Sequence, residues 1–147
     1  MKRLLSTAAI CSLALLGCAT PTPKEGTMAT RENPVVSVVN GREIKVEPDP
    51  LQFPNDRRAV TITWTLDASA SAFQFKNERG IHIEKEVRKD KSEVAPDPEE
   101  LKCRVVAGGR QFKCINRNSR PGTYKYSIRL MGPAGELFLD PLIVNAE

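Results

Sequence analysis

From Pro34 onward, apolar residues alternate with polar ones in short runs, and the alternation has the period of a β-strand. The clearest run is Ala59 to Leu66. Val60, Ile62, Trp64 and Leu66 fall on one face, and Thr61, Thr63 and Thr65 on the other. That describes a half-buried strand with Trp64 in the core. Tyr124, Tyr126, Ile128 and Leu130 alternate in the same way with Lys125, Ser127 and Arg129. Val35-Val36-Ser37-Val38-Val39 is largely β-branched and ends at Asn40-Gly41, a two-residue hairpin signal, with Glu43-Ile44-Lys45-Val46 as the return strand.

Weaker patterns fill the intervals. The segment from Pro48 to Pro54 lacks too many amide donors for a central strand; it reads as an extended edge with Leu51 and Phe53 pointing inward. Phe73 and Phe75 alternate with Gln74 and Lys76, and Ile81-His82-Ile83 makes a short strand with His82 on the face away from both isoleucines. Glu84 to Glu100 is a mixed charge run with few apolar residues. It predicts a long solvated loop, with one helical turn started by Asp97 as N-cap and Pro98 as first helical residue. Cys103-Arg104-Val105-Val106 and Gln111-Phe112-Lys113-Cys114 flank a Gly108-Gly109 turn. Gly132 to Gly135 is another turn, and Leu137-Phe138-Leu139 with Leu142-Ile143-Val144 gives a last strand or pair of strands.

About eight short strands with almost no helical pattern predict an all-β sandwich, immunoglobulin-like or cupredoxin-like. The antibody pattern itself is not matched, because the two domain cysteines are hairpin neighbours rather than inter-sheet partners.

The N-terminus is different in kind. Met1-Lys2-Arg3 is a compact positive segment, and Leu4 to Leu16 is apolar or small apart from Ser6, Thr7 and Ser12. About 13 residues suit a signal-peptide core and are too few to span the hydrocarbon layer as a helix. The run ends at Leu15-Leu16-Gly17-Cys18. This ending resembles the lipobox of bacterial lipoproteins, over residues 1–18. The resemblance implies a diacylglycerol on the Cys18 sulfur, cleavage between Gly17 and Cys18, and acylation of the new N-terminus. Only a thiol makes the thioether, and the small Gly17 lets a peptidase groove accept the backbone. Several acyl chains together give stable anchoring. In Gram-negative lipoproteins Asp after the cysteine tends to retain the protein in the inner membrane. Ala19 therefore implies the outer membrane, with the domain facing the periplasm, in a chain from such an organism.

Residues 1–17 are thus expected to be a signal peptide, 18–33 a flexible tether and 34–147 a β-sandwich domain. Ala19 to Asn33 is rich in Thr, Pro and charge and has no apolar period. Fully extended, it reaches roughly 50 Å. Lys2 and Arg3 leave with the signal, so 22 basic residues become 20 against 18 acidic ones, a net of +2. The charges are interspersed in sequence without the basic–aromatic clustering of a nucleic-acid footprint, and no nucleic-acid partner is expected.

Of the four cysteines, Cys11 lies in the signal and Cys18 takes the lipid. Cys103 and Cys114 remain, an even pair in an oxidising compartment, and are expected to form a disulfide. The turn sets their geometry. A two-residue loop would close at Ala107–Arg110 and place them at a hydrogen-bonded pair. A four-residue loop closes at Val106–Gln111 and places them at a non-hydrogen-bonded pair, whose shorter Cα separation suits a cross-strand bridge. The four-residue loop is the prediction.

No catalytic constellation stands out. Blue copper needs two His, a Cys and often a Met; His82, Cys114 and Met131 occur in that order, but His82 is the sole His. Zinc lacks ligands for the same reason. Nucleophilic catalysis through a histidine base has only His82 to call on. Acidic pairs fall mostly in surface charge runs, and Gly108-Gly109 is a hairpin turn rather than a phosphate loop. No enzyme, metal or cofactor is expected. Two function classes remain. One is a binding or accessory module of an envelope assembly with a protein partner, acting through strand edges or the 84–101 loop. The other is a tethered inhibitor or immunity protein against a toxin or wall-degrading enzyme, using that loop. The first is the broader class.

Overall fold

The computed structural model describes residues 28–147 apart from 55, 57 and 107. Gly17, Cys18, the expected signal peptide and the expected tether up to residue 27 lie outside the described residues. Twelve strands form two mixed sheets, and no α-helix occurs among the described residues. The first sheet runs in the order β2 (Glu43–Glu47), β1 (Val35–Val39), β4 (Val60–Leu66), β9 (Gln111–Asn116), β8 (Leu101–Val105). The second runs β3 (Leu51–Phe53), β12 (Leu142–Asn145), β10 (Gly122–Gly132), β6 (Ile81–Val87), β7 (Glu93–Val94). Further along β10, β5 (Gln74–Phe75) and β11 (Gly135–Leu139) extend the rows of β6 and β12.

Twelve strands exceed the expected eight or so, in part because two return strands are broken and because β7 forms within the expected loop. A 3-10 turn over Asn77–Arg79, with Asn77 at φ 35°, divides β5 from β6. Asp140-Pro141 divides β11 from β12, and there the Pro141 carbonyl accepts from the Tyr126 amide at 3.2 Å. The β1–β2 hairpin forms, but its loop has three residues rather than two. Asn40 and Gly41 take φ of 51° and 67°, and the Arg42 amide donates to the Val39 carbonyl at 3.0 Å. Val39 nevertheless pairs with Glu43, so Arg42 is left over as an extra residue. Leu51 and Phe53 are buried on an edge strand, as their spacing predicts.

One core joins the sheets. Trp64, Tyr124, Tyr126, Phe53 and Phe112 are all under 2 % exposed. Full burial of such side chains contributes about 1.5–3 kcal/mol each. Trp64 on β4 meets Tyr126 on β10 with ring centroids 5.5 Å apart, and Phe75 on β5 meets Phe112 on β9 at 5.6 Å. Phe73 lies so close to the β10 backbone that a Cβ on Gly132 would sit 2.2 Å from its ring.

The segment 84–100 is only in part the expected solvated loop: residues 88–92 are exposed and outside any strand, but 84–87 continue β6 and 93–94 form β7. The register between β6 and β10 shifts: Tyr126 pairs with Ile83 and Lys125 with Lys85, leaving Glu84 over. Without that bulge, strict alternation would turn Lys85 inward, which is why the sequence pattern ends the strand at Ile83. With it, Lys85 faces out and Glu86 turns in to 8 % exposure. The chain then makes β7 and returns through a turn at Asp97 instead of a helix. There the Asp97 carboxylate accepts from the Glu99 amide at 2.9 Å, and its carbonyl from the Glu100 amide at 3.0 Å.

Candidate functional site

The β8–β9 hairpin is the best-defined local unit. The Val106 amide donates to the Gln111 carbonyl at 3.0 Å, closing the four-residue loop. Alternation from that pair makes Cys103–Cys114 non-hydrogen-bonded, and the two are disulfide-bonded with Cα atoms 4.0 Å apart. Positive φ at Gly108 and Gly109, 87° and 65°, turns the chain. Arg110, next in the loop, reaches the connection after β4. Its guanidinium donates to four carbonyls: Ala70 at 2.7 Å, Asp67 at 2.8 Å, Leu66 at 2.9 Å and Phe73 at 3.3 Å. In sequence Arg110 looks like an ordinary turn residue; no local pattern marks it as a clamp.

A buried polar network closes one end of the domain. Glu100, Asn116, Asn118 and Asn145 are each at most 2 % exposed. The Glu100 carboxylate accepts from the Ser119 amide at 2.9 Å and from its hydroxyl at 2.5 Å. Asn116 donates to Asn145 at 2.7 Å and receives from it at 3.2 Å, while the Asn118 side chain donates to the Pro54 carbonyl at 2.7 Å. Satisfied this way, the network joins β9, β12 and the chain around β3 and β8 without leaving its polar groups bare. Beside it, Arg120 pairs with Glu86 at 2.8 Å. A groove of about 720 Å³ opens there, between residues 86–90 and the C-terminal residues 144–147.

The outer faces of the two sheets differ in charge. On the second, each cation near the strand centres has an acid. Lys85 and Lys125 both hold Glu93, and the Lys125 bond, then the Lys85 bond, lowers the Glu93 carboxyl to about 2. Arg129 lies between Glu84 at 3.6 Å and Glu136 at 3.4 Å, and its guanidinium covers the exposed Phe138 ring at 4.8 Å. On the first sheet, Arg104 of β8 stands directly opposite Lys113 of β9, and Lys102 opposite Ile115. Thr63 and Thr61 of β4 continue these rows. Among the described residues neither Arg104 nor Lys113 has an acid within ion-pair distance. Charges interspersed in sequence are therefore clustered by the hairpin register.

Of the sequence-identified residues, His82 is exposed on β6 and pairs with Ser127 of β10. Cys114 is committed to the disulfide, and Met131 lies half-exposed on β10. Gly17 and Cys18 lie outside the described residues. Among the described residues, no group of three or more His, Cys, Asp or Glu side chains is placed to hold a metal ion. No protein-family model matches the chain, and no curated protein matches it.

Proposed function

We propose that this chain is a non-catalytic, lipid-anchored protein of the bacterial cell envelope. It is held in the outer membrane through Cys18, faces the periplasm and serves as a binding or accessory module of an envelope assembly. The observation that carries this reading is Leu15-Leu16-Gly17-Cys18 at the end of a short apolar run behind Lys2-Arg3. The Cys103–Cys114 bridge agrees with an oxidising compartment. The two-sheet fold is read as a sandwich of immunoglobulin-like or cupredoxin-like type. The alternative reading is a membrane-tethered inhibitor or immunity protein acting through the exposed parts of segment 84–101.

Affinity capture from cross-linked envelopes, with the lipidated protein as bait, tests the role. A stoichiometric envelope protein is expected. A co-purified enzyme that loses activity when bound would replace this reading with that of a tethered inhibitor.

A further inference from the structure

We propose that the free edge of β8 docks an extended segment of a partner protein, which alternates acidic and apolar residues and adds to the first sheet as a strand. The inference rests on the reading of this chain as a binding module and names the surface and the chemistry of its partner.

β8 ends the first sheet and pairs with β9 alone. The Val106 amide donates to the Gln111 carbonyl at 3.0 Å and the Arg117 amide to the Glu100 carbonyl at 2.8 Å, which fixes the phase of the ladder. Lys102 and Arg104 therefore turn their backbone groups toward β9, and Leu101, Cys103 and Val105 turn theirs away from it. Among the described residues those three have no backbone partner on that side. Donors and acceptors thus stand at every second residue along the edge, a spacing that another strand matches and that a small ligand or a lipid surface does not. The disulfide holds the edge to β9, so little order is lost when a strand adds to it.

Open space lies along this edge. One groove of about 490 Å³ is bounded by residues 81–83, 96–98 and 101–103, and another of about 600 Å³ by Val105 and the 3-10 turn at Asn77–Arg79. The first opens because β7 pairs only with Glu86 and Val87, which leaves residues 81–83 without a strand partner on that flank. Leu101, Cys103 and Val105 pack their side chains against the core. An added residue opposite any of them faces the same way, which calls for apolar side chains at alternate positions.

The outward positions call for acids. Arg104 stands directly opposite Lys113, and like charges so placed destabilise a sheet. Among the described residues neither has an acid within ion-pair distance, and the same holds for Arg79 at the second groove. The other charges along the edge are balanced: Lys102 by Glu99, Lys76 by Glu136 and Asp97 by Arg120. A residue of an antiparallel added strand opposite Arg104 falls at a non-hydrogen-bonded pair, where side chains lie closest, and a carboxylate there pairs with the guanidinium.

The probe is a peptide of about seven residues, near the ordinary length of a strand, that alternates valine and glutamate. A peptide alternating valine and lysine is the control. Each is added to the full mature protein in detergent micelles, and amide exchange is read residue by residue. Without peptide, Lys102 and Arg104 are expected to exchange slowly, and Leu101, Cys103 and Val105 fast. The valine–glutamate peptide is expected to slow those three amides about tenfold when about nine-tenths of the protein is bound, and the valine–lysine peptide to leave them unchanged. Arg104→Glu, at an exposed position, is expected to reverse the preference. Unchanged exchange up to the limit of peptide solubility, or equal protection by both peptides, would overturn the proposal. So would protection that grows with protein concentration in the absence of peptide, which would make a second copy of this chain the occupant. The N-terminal mass of the same preparation separates this result from the envelope reading. Lipid on Cys18 with an unprotected edge overturns the docking alone, and a protected edge without the lipid overturns the anchor alone.

Discussion

The indole N–H of Trp64 donates to the hydroxyl of Tyr126 at 3.3 Å, joining β4 of the first sheet to β10 of the second through the middle of the core. Both residues are at most 1 % exposed. Burial raises the Tyr126 hydroxyl well above the ordinary tyrosine range, and burial likewise raises Tyr124. A raised pKa means that the folded state holds its proton more tightly than the unfolded chain. This contribution is intact below about pH 10 and is lost as pH rises above it. The chain has only these two tyrosines. Spectrophotometric titration is therefore expected to show almost no tyrosinate at the ordinary tyrosine pKa, then a cooperative rise coincident with alkaline unfolding. Gradual ionisation of either tyrosine in the folded protein would contradict the buried pair.

The Arg110 clamp predicts a large effect from a turn residue. Arg110→Ala removes a charged donor from four carbonyls of residues 66–73, of which Asp67 and Ala70 keep backbone amide donors, and the expected loss is about 2–3 kcal/mol in chemical denaturation. Arg110→Lys is expected to recover less than half of it, because one ammonium cannot reproduce the planar fork. Full rescue by Lys would show that charge alone, not the fork, holds the connection.

The disulfide closes a short ring within one hairpin. Cys103→Ala/Cys114→Ala is expected to lower stability by about 3 kcal/mol in the chain-entropy description. The wild-type protein, denatured without reductant, is expected to titrate no thiol from this pair. Reactive Cys103 and Cys114 would contradict the bridge.

The strand pattern, the Trp64 core position, the 103–114 hairpin and its four-residue loop are all legible from period-two alternation and turn residues. What alternation cannot convey is a change of phase. The bulge at Glu84 reverses which residues of β6 point inward, so a strand that buries Glu86 looks in sequence like the start of a charged loop. The extra residue Arg42 and the breaks at Asn77–Arg79 and Asp140-Pro141 are likewise settled by pairing partners far along the chain. The same holds for surface chemistry. Arg104 and Lys113 are nine positions apart in a chain of mixed charge, and only the hairpin register makes them neighbours. The end network depends on Glu100, Asn116, Asn118 and Asn145 converging from three stretches, none of which carries a local signature.

Lipid anchoring at Cys18 is the central claim, and the mass of the N-terminal peptide of the mature protein tests it most directly. The account predicts a peptide beginning at Cys18 whose mass is increased by a thioether-linked diacylglycerol and an N-acyl chain. A peptide carrying Gly17 joined to an unmodified Cys18 would contradict it.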